Sequence, residues 1–401
     1  MAPWSENGRE GTFLESRNLS KKALEMDFSE LKGRSYRCID GCALCCLCQP
    51  ELLPDEEAMF RSTPELAPYV AERHISPEVA GAALKLKGEH GSCCLLDDRR
   101  CRIYGKRPHY CRAFPVNVFV GWRIQLNANL SCRGIGLQGQ SLEDIGREIL
   151  ERHGEAKLGA ELASARSVFS QFIENCRSAK VSQSTTSVRD AGDLLSDELT
   201  STMGLSRVMT YAEHGTIRQN TDAREIVKRI RMTEPEANVE ERALIDGTEL
   251  FDIADMSMLP VYVNKRLEWK IFKLEGKEIV GYDLEEDGNV REFSRTDPSD
   301  VYLLPMDSKA LAVTQGYVSL VNRRDCFLGH AAYLCDEEDY QYNFAQVYLG
   351  ALANNAVDLW WRSSLLAHLE GKSELGHDEL QEGVVFFDMD FLDLPTIGAF
   401  I

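Results

Sequence analysis

Cys38-Ile-Asp-Gly-Cys42-Ala-Leu-Cys45-Cys46-Leu-Cys48 puts five sulfurs into eleven residues. Core packing does not ask for that density. Close-set thiolates in apolar surroundings are costly unless they share a cation or a cluster. The x3 and x2 spacings let a short loop wrap a metal, with Gly41 easing the turn. A second set follows at Cys93, Cys94, Cys101 and Cys111, and a last member is Cys132. Two half-sites far apart in sequence are the usual arrangement for a closed tetrahedral site or a cluster. Eight thiolates suffice for two four-coordinate centres, whereas one centre leaves several cysteines as neighbouring or reactive thiols. The spacing leaves both counts open, and both an iron-sulfur cluster (4Fe-4S) and Zn2+.

The segment is singular within its own chain. Ten of thirteen cysteines lie between Cys38 and Cys132, leaving Cys176, Cys326 and Cys335 as expected buried thiols. The first ten residues carry both charge signs and no apolar run of signal-peptide length. The most apolar later stretch, 347–369, is interrupted by Asn354, Asn355, Asp358 and Arg362, which a lipid-spanning helix rarely tolerates together. The expectation is a cytoplasmic protein whose cysteines are ligands before they are disulfides.

A net charge of -19 argues against nucleic acid as a partner, since phosphate binding rests on Lys and Arg. Yet 99–133 holds Arg99, Arg100, Arg102, Lys106, Arg107, Arg112, Arg123 and Arg133 without one Asp or Glu. Such a shell offsets an anionic thiolate centre, or forms a solvated basic face for a protein substrate or acidic protein partner. His90 and His109 are candidates to replace a sulfur. Asp388-Met-Asp390 offers two carboxylates that, on an alternating strand, are expected to be simply solvated.

The ordered set C-x3-C-x2-C-C, C-x-L-L-D, C-x-I-Y-x-x-R-P-x-x-C-R-x-F-P and C-x-G-I-G resembles the YkgJ-type cysteine-cluster family, described as zinc- or iron-chelating domains. The matching positions are Cys38, Cys42, Cys45, Cys46, Cys93, Cys101, Ile103, Tyr104, Arg107, Pro108, Cys111, Arg112, Pro115 and Cys132. The resemblance covers about residues 36–140 and implies metal ligation by the eight cysteines among them, with Cys48 and Cys94 as extras. The flagellin lysine N-methylases are similar to that family, so the resemblance admits an S-adenosylmethionine-dependent protein-lysine N-methyltransferase as the alternative to a metal-chelating protein. A redox-sensing binding protein is a third reading. The Cys38-x3-Cys42-x2-Cys45 spacing is also that of radical S-adenosylmethionine enzymes, but no series of strand-helix units follows it, and no Gly-rich nucleotide turn is present.

The fold class expected is α+β: a small loop- and helix-rich cysteine-cluster metal domain, then a C-terminal α+β domain with an antiparallel meander. The expected divisions are an arm at 1–35 with one short helix around Leu14 to Leu31, the metal domain with a trailing helix at 36–177, a polar linker at 178–190, and an α+β domain of unassigned role at 191–401. Pro54-Asp-Glu-Glu starts a helix, and Pro64, Pro68 and Pro77 break the helices after it. Helical patterns run over 142–176, 194–233, 308–323 and 340–369. Strands are expected over 267–274, 279–284 and 290–293, joined by Glu275-Gly276 and Asp287-Gly288 turns. The tail V-V-F-F-D-M-D-F reads as a further strand.

Overall fold

A computed structural model describes residues 24–76, 79–88 and 91–401. The expected arm lies outside these residues up to position 23. From Met26 onward the chain is built in: Met26–Asp27 pairs in parallel with Ile124–Ala128, and Leu31 is fully buried. Val116–Val120 pairs antiparallel with Ile124–Ala128, and Ala399–Phe400 closes the other edge. This four-stranded sheet joins the start, middle and end of the described chain, and helix Leu142–His153 packs on it. Gly154, at φ 79, separates that helix from Glu155–Ser178, so the expected 142–176 helix is two.

The cysteine segment contributes helix Pro54–Ser62, strand Glu51–Leu52, and the strands Val70–Ser76 and Val79–Leu84. Strands over 70–84 correct the expected broken helices. Proline forbids a helix interior here, and the paired strands instead help to close a small core of Leu52, Phe60, Leu66 and Leu84. Pro77 lies outside the described residues.

The second half is α+β as expected. Val261–Val263, Trp269–Glu275, Glu278–Leu284 and Val290–Thr296 form an antiparallel meander in sequence order. Its turns place Gly276 and Gly288 at φ 67 and 88, the left-handed region glycine enters freely. Around it stand helices Thr202–His214, Ala223–Met232, Val239–Glu249, Ser308–Arg323, Asp325–Glu337, Phe344–Leu369 and His377–Phe391. The polar stretch at 178–190 holds a short turn and the start of helix Thr185–Leu194, which Ser184 caps through the Ser187 N–H. Val188 there is fully buried, so polar composition marks a cap and an exposed helix face rather than an open loop.

Helix Phe344–Leu369 is the axis of the largest core, buried on nearly every face. Among the described residues no helix is long and apolar enough to cross a membrane. The tail expected as a strand lies in helix His377–Phe391. It is covered by Phe344–Leu369, by Ser308–Arg323 and by strand Val261–Val263. Val384, Val385, Phe386, Phe387 and Phe391 are therefore all buried, which erases the one-sided apolar stripe by which a helix is recognised. Asp388 and Asp390 are not solvated either. Asp388 pairs with buried Arg324, and Asp390 pairs with Arg362.

Candidate metal centre

The first cysteine loop closes on itself through left-handed residues at Gly41 (φ 83) and Ala43 (φ 48), followed by a single 3-10 turn at Leu44–Cys46. The Cys46 N–H donates to Ala43 O at 3.0 Å. The second set is tied to it directly, because the Cys93 N–H donates to Cys46 O at 2.7 Å. A two-residue hairpin turn at Asp98 and Arg99, both at positive φ, then sets Cys101 opposite Leu96. Helix His109–Ala113 carries Cys111, and the buried Glu56 carboxylate accepts the His109 N–H at 2.7 Å, fixing that helix start.

Six cysteines, Cys38, Cys45, Cys46, Cys93, Cys101 and Cys111, line one cavity of about 260 Å³. Its remaining wall is mostly apolar, with Arg99, Arg100 and Arg107 from the basic segment. Among the described residues no three His, Cys, Asp or Glu side chains already form a cage for one ion, so the thiols ring the space. Cys42 and Cys132 are buried and are not in the cavity wall. Cys48 is exposed and Cys94 half-buried, and neither is in the cavity wall. His109 is buried away from the cavity, its ring edge-on to His153 at 5.3 Å. Burial, with His153 and nearby cations, pushes its pKa down to about 4. His90 lies outside the described residues. Cys176, Cys326 and Cys335 are buried elsewhere, as expected.

The electrostatics refine the expectation that the basic shell alone favours thiolates. Burial pushes Cys93 up to about 11 and Cys132 up to about 12, and it also raises Cys42, Cys101 and Cys111. Donation from Cys46, helped by Arg107, holds Cys45 down at about 7. Bonding to Cys45, and then burial, raises Cys46. The guanidinium of Arg107 favours the charged form at Cys45, Cys101 and Cys111, but burial outweighs it at the last two. Most of these buried thiols thus stay neutral without a further positive charge, which a bound metal supplies. The shell is also less free than its sequence suggests: Arg123 pairs with Asp325, and Arg133 with Glu382.

The second half supplies supports that the cysteine spacing gave no sign of. The Trp269 Nε1–H donates to Cys42 O at 2.8 Å, and the Arg99 guanidinium lies 3.5 Å over the Trp269 ring. Glu286 accepts from Lys87 Nζ and from the Arg99 N–H. Around Cys132, the Leu130 N–H donates to Asp388, and the Ser131 hydroxyl accepts the Met389 N–H at 2.9 Å. Arg133 bonds both Val263 O and Glu382, and Tyr262 also donates to Glu382. Meander and tail helix thus brace the cysteine loops. A Trp in a strand pattern, and a carboxylate read as part of a strand, carry no local signal of such a role.

No curated protein and no solved structure matches this chain. Residues 37–133 match the family model CxxCxxCC, whose description is an expected zinc- or iron-chelating domain, and this segment of the chain is accordingly a cysteine-cluster domain.

Proposed function

We propose that the protein is an iron-sulfur protein, the ligands being drawn from the cavity cysteines Cys38, Cys45, Cys46, Cys93, Cys101 and Cys111 and from Cys42 and Cys132 outside the cavity wall. The observation that carries the reading is the ring of six thiols around a cavity of about 260 Å³. A zinc ion takes four sulfurs at about 2.3 Å and needs far less room than even one water, whose share of liquid volume is roughly 30 Å³. Iron-sulfur clusters are held by four Cys thiolates each and occupy a larger space. The donor set fits, since thiolates suit zinc and iron-sulfur centres alike, and cavity size favours the larger group.

Bound there, a cluster supplies one-electron transfer, and its potential depends on hydrogen bonds and burial around the sulfurs. The chain's own part is to exclude water with the Ile39, Leu95, Leu96 and Ile103 wall and to bring Arg99 and Arg107 close to the thiolate charge. The cavity is walled by residues 38–111. The S-adenosylmethionine-dependent methyltransferase reading therefore rests on the resemblance alone. Anaerobic purification followed by a visible spectrum tests the proposal. A broad thiolate-to-iron absorption that bleaches in air supports it, and a colourless protein carrying zinc replaces it with the structural-zinc reading.

A further inference from the structure

We propose that the module holds two separate four-thiol centres, one formed by Cys38, Cys42, Cys45 and Cys132 and the other by Cys46, Cys93, Cys101 and Cys111. This rests on the metal-binding reading above and adds the number and membership of the sites. The backbone assembles the first group. Tyr36 bridges Ile135, and the Arg37 N–H donates to Gly134 O at 3.1 Å, so the strand entering Cys38 runs beside the loop leaving Cys132. Only glycine permits that approach, since a Cβ at Gly134 would lie 2.3 Å from Arg37 O. Cys42 and Cys132 are in turn fastened to the same pair of meander residues. Trp269 holds the Cys42 carbonyl, Val263 O receives Arg133, and Val263 and Trp269 are cross-strand partners.

The second group is tied together by bonds of its own. Cys93 bonds to the Cys46 carbonyl, the hairpin brings Cys101 back beside Leu96, and all four members line the cavity. Cys45 and Cys46 are adjacent on one 3-10 turn, and Cys38 and Cys45 line the same cavity as the second group, so the two centres adjoin across this turn. Four thiolates per centre also leave none of the eight buried and uncompensated.

The test is metal and sulfide content of the full chain after anaerobic reconstitution with ferrous iron and sulfide, with a parallel reconstitution by zinc alone. Two centres give about eight irons and eight sulfides per chain, or about two zinc ions. Cys132→Ser and Cys111→Ser each retain about half of the wild-type metal. Wild-type protein with about four irons or one zinc overturns the two-centre proposal while leaving the metal-binding reading intact. Wild-type protein with no metal overturns both. Loss of all metal in either single variant, with helical circular dichroism preserved, overturns the division into these groups. The wild-type count decides the number of centres even if a variant fails to fold.

Discussion

Trp269 is the residue at which the two halves of the chain depend most visibly on one another. It is fully buried, donates to the carbonyl of a candidate ligand, and carries Arg99 on its face. Trp269→Phe keeps most of the packing and loses one hydrogen bond, at a cost of about 1 kcal/mol. Trp269→Ala opens a cavity and costs about 3–5 kcal/mol. Urea denaturation of both variants measures the difference, and near-equal losses would contradict the role given to packing. The clustering of the cysteines was legible from spacing, with five sulfurs in eleven residues, and the structure brings six of the ten to one cavity. The residues that brace them were not. Trp269, Glu286, Glu382 and Asp388 lie 130 or more positions downstream of the loops they hold, and only tertiary structure reveals such partners.

At the scale of elements, the tail helix decides how closely the second half packs. A Cβ on Gly383 would sit 1.8 Å from Ser363 Oγ, so helices His377–Phe391 and Phe344–Leu369 touch at a point with no spare room. Gly383→Ala is expected to cost about 1–3 kcal/mol by overpacking. Adding Ser363→Ala should recover part of that loss, and thermal melts of the single and double variants report it; no recovery would contradict the contact. The meander docks through Glu286, where burial raises the carboxyl pKa but Lys87 and the Arg99 N–H outweigh it, leaving it below the usual value. A depressed carboxylate contributes stability above its unfolded pKa of about 4.3 and loses it as pH falls through the folded value. Glu286→Gln is therefore expected to flatten the acid side of the stability profile below about pH 4, measured by denaturation at stepped pH. An unchanged acid limb would contradict this docking. Alternation and Gly turns made the meander legible in sequence. The tail helix was misread because it is covered on several sides, and the strands at 70–84 because their prolines exclude a helix without announcing a sheet.

For the whole molecule, fully buried Arg324 gathers the chain's distant parts. It bonds Glu30 near the start of the described residues, the Ala128 carbonyl in the sheet, and Asp388 in the tail helix. Cysteine loops, sheet and helical half thus share one support, and losing the metal should be felt beyond residues 37–133. Chelation of the loaded protein is expected to raise amide exchange first in the loops around Cys38 and Cys93 and then in the meander at 261–296. For a structural zinc the lost binding energy would be about 10 kcal/mol or more. Exchange confined to 37–133, with the meander unchanged, would contradict the coupling. The central claim is that the ring of thiols holds metal. It is tested most directly by elemental analysis of anaerobically purified wild-type protein beside Cys46→Ser. The account predicts bound iron, with acid-labile sulfide, in the wild type and a marked loss in the variant. Metal-free wild-type protein that remains folded would contradict it.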